Sequence, residues 1–164
     1  MRLRRKVWRH VPAGAHPLHA GYILRANGRW NRRGVYGCLY TAFTRRGART
    51  EYMKYLRGEA SSVFGVKPRE LVSIQVNLEP VADLTNSETS PIAHDEPFLL
   101  GDEPTDLEAC RALADSLRRE GFVGIIALSA AMSSEKNLMI YIDGLAENVR
   151  LEVGADRIPL SNAI

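Results

Sequence analysis

The sequence of 164 residues has only two cysteines, Cys38 and Cys110, and neither belongs to a CxxC pair. Together with four scattered histidines they show no spacing typical of a zinc site, so we expect no metal. No apolar run reaches the roughly 20 residues that cross a bilayer, and no apolar segment follows the basic residues at the start of the chain. These absences predict neither a membrane span nor a secretory signal, and they favour a reducing, cytoplasmic setting.

Familiar catalytic and nucleotide-binding motifs are also missing. The sequence has no GxxxxGK[ST], HExxH, GxSxG or GxGxxG pattern, which argues against a P-loop, a zinc protease, an α/β-hydrolase or a dinucleotide fingerprint. Hydrophobic residues make up 45% and charged residues 25% of the chain, as in ordinary soluble proteins. We therefore expect one globular domain over residues 1–164, with any chemistry carried by residues far apart in the sequence.

Acidic residues are almost missing from the first third of the chain. Residues 1–58 carry 14 lysines and arginines and one acid, Glu51, whereas residues 59–164 carry 8 basic and 18 acidic residues. The two parts have formal charges of +13 and −10. A basic segment this strong favours a phosphate-bearing or acidic partner, and the alternative is that the two parts neutralise each other within the fold.

Periodicity predicts strands and helices in an irregular order. We predict strands over residues 34–43, 71–78, 123–128, 138–142 and 149–153, and helices over 44–56 and 105–121. The second helix would begin with Thr105 as N-cap and Glu108 completing a capping box. Residues 1–33 are predicted as short extended pieces with long loops, and residues 85–103 as a loop. Without regular βαβ alternation, the predicted fold class is α+β, a single domain with mixed or antiparallel sheets.

Three short patterns contain the candidate functional residues, and the first is NGRWN at residues 27–31. Gly28 would let a ligand approach the backbone closely, and Arg29 could clamp a diphosphate with its fork of donors. Trp30 could stack on a ring or simply pack. The alternative is a hairpin turn with a surface arginine.

The second pattern pairs Tyr40, near the end of a predicted strand, with Glu51 on the following helix. Both can face one cleft, where a carboxylate could bind a ribose hydroxyl and stabilise an oxocarbenium-like centre. The alternative is a solvated glutamate that neutralises its arginine neighbours. In the third pattern, Ser129 directly follows a buried strand and is interpreted as a hydrogen-bonding group, with a turn serine as the alternative.

Other polar residues receive weaker interpretations. Three of them are interpreted as structural: Trp8 as an anchoring aromatic, Arg9 as a surface cation, and Asn137 as a turn asparagine at the start of a strand. The four histidines are predicted to lie in loops and are given no role: His10, His16, His19 and His94.

Taken in order, these pieces resemble the RES domain, a family named for its arginine, glutamate and serine. The matching segments are 8–9, 28–34, 39–42, 48–51, 121–129 and 137–141, so the resemblance is strongest over residues 7–143. It places the catalytic residues on Arg29, Glu51 and Ser129. It places substrate-binding residues on Gly28, Trp30, Asn31 and Tyr40.

The resemblance implies a fold similar to ADP-ribosyltransferases, with a sheet-built cleft flanked by helices. It implies NAD as substrate, no cofactor or metal, and cleavage of the nicotinamide–ribose bond by hydrolysis or by phosphorolysis with inorganic phosphate. Transfer of ADP-ribose to a protein is a further activity of the family. The implied biological role is the toxin of a toxin–antitoxin pair, whose Xre-like helix-turn-helix antitoxin would provide any contact with nucleic acid. An oligomer is compatible with all of this.

Two alternatives to an NAD-consuming enzyme stay open at this point. One is a basic nucleic-acid-binding module, and the other is a catalytically inactive relative that binds a partner. The chain also departs from the expected family pattern at Arg32 and Arg33 and in the basic run 45–49. These departures leave the acceptor of the ADP-ribose group undecided.

Overall fold

The computed structural model describes residues 1–59, 68–142 and 148–160. In these ranges the strands are β1 (Leu3–Pro12), β2 (Cys38–Ala42), β3 (Arg69–Leu78), β4 (Val81–Asp83), β5 (Gly124–Leu128), β6 (Lys136–Tyr141) and β7 (Val149–Leu160). The helices are α1 (Ala20–Leu24), α2 (Arg45–Glu59) and α3 (Pro104–Arg119), with a short 3-10 helix at Pro97–Leu99. None of these helices is long and apolar enough to cross a membrane.

The strands form one mixed sheet in the order β4-β5-β6-β2-β1-β3-β7. β4 and β5 run parallel, and all the other neighbours in the sheet run antiparallel. Helices and strands do not alternate regularly along the chain, as they would in a doubly wound fold. The predicted α+β class with a mixed sheet is therefore confirmed.

β1 and β2 meet in a single register pair, Trp8 opposite Ala42. By contrast, β1 pairs with β3 from Leu3 to Pro12, and β2 pairs with β6 over its full length. Away from the Trp8–Ala42 pair the two strands are free to diverge. The ends of both strands line a cleft at this place, so the divergence in the middle of the sheet positions the site described below.

The sheet buries apolar side chains on both faces. On one face, Ile125 and Ala127 of β5 join a cluster with α3, where Ala114 and Leu117 are buried. On the other face, Ile126 of β5 joins side chains from α1, β1 and β3. Neighbouring residues of β5 thus pack in opposite directions, which is how a strand covered on both faces is built.

The start of α3 differs from the prediction. The helix begins at Pro104 with Glu103 as the N-cap residue, and Asp106 Oδ2 accepts a hydrogen bond from the Glu103 N–H at 3.2 Å. The predicted capping box of Thr105 and Glu108 is wrong. Proline is favoured at the first helical position, because its missing N–H would be unpaired there anyway, and this sets the start of the helix.

Both ends of the described chain are more regular than predicted. β1 replaces the short extended pieces expected in residues 1–33, because pairing with β3 satisfies its backbone while Arg4 and Lys6 stay exposed. α1 was not predicted either. β7 extends to Leu160 rather than residue 153, since β3 pairs with it as far as Arg69 across a register shift.

Candidate active site

A cleft of about 420 Å³ lies where β1 and β2 diverge. Its lining comes from the ends of β1, β2, β5 and β6, one face of α2, the segment 26–30 and the first part of α3. This volume is typical of small-molecule sites. The charged side chains in the lining are four cations (Arg9, Arg29, Lys54, Arg111) and two carboxylates (Glu51, Asp102).

The carboxylate corner, formed by Glu51, Ser129 and Asn137, lies on one wall of the cleft. Glu51 Oε1 accepts hydrogen bonds from Ser129 Oγ and from Asn137 Nδ2, each at 2.6 Å. Ser129 is completely buried, and its Oγ also accepts the backbone N–H groups of Ala131 and Met132 at 3.1 and 3.2 Å. Among the described residues Glu51 forms no salt bridge, so it does not neutralise its arginine neighbours. Two neutral donors hold it instead.

Asn137 also has a polar atom without a partner. Because Nδ2 is the donor to Glu51, the amide cannot flip without turning its oxygen towards the carboxylate. Oδ1 therefore faces away from Glu51, where it is buried and has no donor among the described residues. Such atoms are rare in native proteins. The interpretation of Asn137 as structural missed this feature.

The arginine loop, residues 26–31, is closed by Asn31. Asn31 Oδ1 accepts the Gly28 N–H at 3.0 Å and the Tyr40 hydroxyl at 2.7 Å, and its Nδ2 donates to the Ala26 carbonyl at 2.7 Å. The Tyr40 hydroxyl in turn accepts the Trp30 N–H at 2.9 Å. Asn31 is fully buried and lies behind the cleft lining. It therefore shapes the loop rather than facing a ligand.

Glycine is required at position 28 by the ring beneath it. A Cβ atom there would lie 2.3 Å from the Tyr40 hydroxyl, closer than atoms can approach. The hydroxyl is deep enough that burial raises the pKa of Tyr40 well above its ordinary value. Gly28, Trp30 and Tyr40 line the cleft, and their role in substrate binding stays a prediction. Trp30 is only 2% exposed and belongs to the core.

Arg29 connects the arginine loop to the segment before α3. Its Nη1 donates to the carbonyls of Leu99 and Gly101 at 3.1 and 2.7 Å, and its Nη2 pairs with Asp102 at 2.8 Å. Asp102 also pairs with Lys54 at 2.9 Å, and the hydrogen bond from Lys54 holds the pKa of that carboxyl below its ordinary value. Arg29 was predicted to clamp a diphosphate, but most of its guanidinium N–H donors are therefore already bonded to other residues of the protein.

Arg9 lines the same cleft but has fewer hydrogen-bond partners than Arg29. Its Nη1 donates to the Tyr40 carbonyl at 3.1 Å, whereas Nε is buried and has no partner in the part of the chain that the structure describes. Burial, followed by the charge of the nearby Arg69, lowers the pKa of Arg9 to about 10. Within the described residues no carboxylate pairs with Arg9. A half-buried cation without a counter-charge would be stabilised by an anion bound in the cleft beside it.

Comparison with known proteins gives the family. The sequence matches the family model of the RES domain over residues 2–161. The chain belongs to the RES domain family. The resemblance predicted from the sequence is thus confirmed. No curated protein matches the chain.

Among solved structures, this RES domain is similar to a chain in the M. tuberculosis MbcT–MbcA toxin–antitoxin complex, with a TM-score of 0.67. The two chains share 16% sequence identity over 98% of this chain and 86% of that chain. At this identity the likeness concerns the fold. It supports the α+β assignment over nearly the whole RES domain.

Arg32, one of the departures from the family pattern, has a structural partner on α3. Its guanidinium donates to Asp115 at 2.6 Å and to both oxygens of Glu108 at 3.0 and 2.7 Å, and the hydrogen bonds to Glu108 raise the pKa of Arg32. Arg32 does not line the cleft. Part of the basic excess of this RES domain is therefore neutralised within the fold. This agrees with the alternative that the basic and acidic parts of the chain neutralise each other.

Four predicted residues line the cleft beside Glu51 (Gly28, Arg29, Trp30, Tyr40), and two lie behind the lining (Asn31, Ser129). Among the lining residues that sequence reasoning missed are four basic side chains: Arg9, His10, Lys54 and Arg111. His10, predicted in a loop, lies in β1. The basic excess of residues 1–58 could have pointed to Arg9 and Lys54, but it does not say which cations line the cleft, and Arg111 lies outside that range.

Proposed function

We propose that this RES domain cleaves the nicotinamide–ribose bond of NAD and acts as the toxin of a toxin–antitoxin pair. The observation that carries the proposal is the carboxylate corner. A single glutamate, oriented by two neutral donors, faces a cleft whose other charged lining groups are mostly cations. That arrangement suits a substrate with an anionic diphosphate and a reaction centre that becomes positive.

The cations would bind the diphosphate. Arg9 is the main candidate, because its buried Nε has no partner in the described segments and a phosphate oxygen would supply one. Arg111 donates through Nε to the Gly28 carbonyl at 3.2 Å and would add a second positive charge nearby. Arg29 would contribute mainly by holding the loop in place and by its field, since most of its donors are already used.

Glu51 would stabilise the reacting ribose. As the C–N glycosidic bond breaks, its electron pair moves to the pyridinium nitrogen, and nicotinamide leaves as a neutral molecule. Positive charge then develops on the ribose carbon, and the Glu51 carboxylate lowers the energy of that charge. Ser129 and Asn137 would act as positioning residues that keep Oε1 in one orientation, and the other carboxylate oxygen can take a ribose hydroxyl or the attacking nucleophile.

Three nucleophiles would complete the reaction. Water gives ADP-ribose and a released proton, inorganic phosphate gives ADP-ribose phosphate, and a protein side chain gives an ADP-ribosylated protein. The direct test is to incubate the purified protein with NAD, with and without phosphate, and to identify the products by mass spectrometry. Release of nicotinamide with any of these products supports the proposal. Intact NAD in the presence of folded protein would refute it.

An antitoxin would be the partner of this chain. The structural neighbour was solved in a toxin–antitoxin complex, and we extend that arrangement to a partner of the Xre-like helix-turn-helix type. The charged residues that line a second groove beside the cleft are three cations (Arg49, Lys54, Arg57) and one carboxylate, Asp102, which pairs with Lys54. An acidic surface would complement the remaining positive charge. DNA would then be contacted through the antitoxin. Tight DNA binding by the isolated chain, weakening steeply with salt, would favour the nucleic-acid-binding alternative instead.

A further inference from the structure

A histidine in the cleft wall has its tautomer fixed by an arginine. His10 Nδ1 accepts a hydrogen bond from Arg69 Nε at 3.0 Å, and Arg69 Nη2 also donates to the His10 carbonyl at 3.4 Å. An arginine N–H group can only donate, so Nδ1 must be the unprotonated nitrogen of the ring. The hydrogen of the neutral imidazole is therefore on Nε2.

The surroundings of His10 keep the ring neutral. The groups around it are Arg9 beside it on β1, Arg69 on β3, and the rings of Tyr52 and Tyr55 on α2, whose centroids lie 5.4 and 6.0 Å away. Burial, followed by Arg69 and Arg9, lowers the pKa of His10 to about 3. His10 is thus a donor through Nε2 over the physiological pH range, and it cannot carry a proton in the reaction.

The ring of His10 lies beside Tyr55, which is one helical turn after Glu51 of the carboxylate corner. His10 and Tyr55 both line the cleft, and Tyr55 is 41% exposed. Tyr55 follows Glu51 by one helical turn, a spacing that puts the two Cβ atoms on one face about 5–6 Å apart. In NAD, the nicotinamide ring is attached directly to the ribose that reacts, whereas adenine lies beyond the diphosphate. The short spacing favours the nicotinamide ring as the group that reaches His10.

We propose that His10 Nε2–H donates a hydrogen bond to the carboxamide oxygen of the nicotinamide ring, with Tyr55 beside that ring. Arg69 is a positioning residue, because it acts on the substrate only through the tautomer of His10. This inference rests on the proposed function of the cleft. It explains how a site could favour a pyridine ring that carries an acceptor over one that lacks it, since a buried donor left unpaired lowers affinity.

Kinetics with NAD test the donor directly. His10→Phe keeps a ring against Tyr52 and Tyr55 but removes the N–H, and we expect KM to rise about 5- to 10-fold with kcat nearly unchanged. His10→Gln, which retains a donor, should recover most of the loss. His94→Gln, an exposed loop histidine outside the cleft, should behave as wild type. An unchanged KM in a folded His10→Phe protein would overturn the inference while leaving NAD cleavage itself intact.

Separate titrations with nicotinamide and with ADP-ribose identify the end of the substrate. His10→Phe should weaken nicotinamide binding about 5- to 10-fold and leave ADP-ribose binding unchanged. A loss confined to ADP-ribose would place His10 at the adenine end and overturn the proposal. These titrations need no turnover, so a wild-type protein that fails to cleave NAD would count against the proposed function alone.

The tautomer can be read by nitrogen NMR of the imidazole. In the wild-type protein Nε2 should carry the hydrogen, and the ring should not titrate between pH 5 and 8. Arg69→Met should release Nδ1, mix the tautomers and raise the pKa of His10, while KM for NAD rises. A wild-type ring that is protonated on Nδ1, or that titrates near neutral pH, would contradict the role given to Arg69.

Discussion

Two sets of polar residues in the cleft differ in how far the protein satisfies them. In the closed set (Gly28, Arg29, Asn31, Tyr40), every hydrogen bond described above ends on another part of the chain. In the open set (Arg9, Glu51, Asn137), two buried atoms have no partner within residues 1–59, 68–142 and 148–160: Arg9 Nε and Asn137 Oδ1.

This difference distinguishes the residues that fix the shape of the site from the residues that remain available to bind a ligand. Native proteins pair nearly all of their buried polar atoms, so an exception needs a reason. The closed set keeps the arginine loop rigid and fixes the shape of the cleft. The open set is incomplete within the described residues, and a ligand with both an anionic group and donor groups would complete it. NAD has phosphates for Arg9 and hydroxyl or amide donors for Asn137.

The largest effect is expected from Glu51 in the open set. Glu51→Gln removes the negative charge but keeps an oxygen that can accept from Ser129 and Asn137. We expect kcat for NAD cleavage to fall about 100- to 1000-fold, because the developing positive charge loses its stabilising carboxylate. The thermal midpoint should stay near the wild-type value. Glu88→Gln, at an exposed loop position, is the control and should keep full activity.

A substitution in the closed set should lower the stability of the protein, which Glu51→Gln should leave unchanged. Gly28→Ala places a Cβ atom 2.3 Å from the Tyr40 hydroxyl, so the ring must move and its bonds with Asn31 and the Trp30 N–H are lost. We expect a loss of about 2–3 kcal/mol in the free energy of unfolding, measured by denaturant titration, with activity falling in parallel.

Gly21→Ala is the control for that change. The nearest side chain there is the exposed and flexible His19, and the position lies in α1. Stability should therefore stay close to that of the wild-type protein. A Gly28→Ala protein as stable as wild type would show that the arginine loop is not rigid.

A smaller and more selective effect is expected from Arg9. Arg9→Met keeps the buried stem and removes a cation that has no carboxylate partner. We expect KM for NAD to rise about 10-fold through loss of a charge-assisted bond to phosphate. The thermal midpoint should hold or increase, because an uncompensated buried charge is removed. Arg4→Met, on the exposed side of the same strand, should change neither value. A large drop in stability with KM unchanged would make Arg9 structural.

The smallest effect is expected from Asp102, an exposed acid that accepts hydrogen bonds from Arg29 and Lys54. The hydrogen bond from Lys54, helped by the charge of Arg29, holds the pKa of this carboxyl below its ordinary value. A depressed folded pKa gives stability that is present above the unfolded pKa of about 3.9 and is lost as the pH falls through the folded value. Asp102→Asn should therefore be less stable than wild type at neutral pH, by less than about 1 kcal/mol after solvent screening.

The difference between wild type and Asp102→Asn should vanish at acid pH. Thermal midpoints measured at neutral pH and at a pH below the lowered pKa of Asp102 in the folded protein check this. Asp95→Asn, at another exposed acid of the same loop, is the control and should keep the wild-type thermal midpoint at neutral pH. A difference that grows as the pH falls would contradict the sign of the shift.

Local patterns were enough to predict several elements. α2 and β3 follow from apolar spacing within a dozen residues, and both are found close to the predicted bounds. β1 was not predicted as a ten-residue strand, because its cations hide the spacing of Leu3, Val7 and Val11. Its partner β3 begins at Arg69, far along the chain. Pairing between distant segments leaves no local signature.

The site was predictable to the extent that its residues form motifs. The resemblance pointed to Glu51 and Ser129, which the structure brings within hydrogen-bonding distance. The partners of Arg29 were hidden, because two of them are backbone carbonyls and any residue type supplies a carbonyl. Arg9 was interpreted as a surface cation. Its burial without a counter-charge is a property of the folded cleft and cannot be read from one strand.

The central claim, that the open set binds NAD, is tested most directly by calorimetric titration of the inactive Glu51→Gln protein with NAD. We predict saturable binding that weakens about 10-fold when Arg9→Met is added and that survives when Arg4→Met is added instead. Binding of equal strength in all three proteins, or no binding to a folded Glu51→Gln protein, would contradict the account.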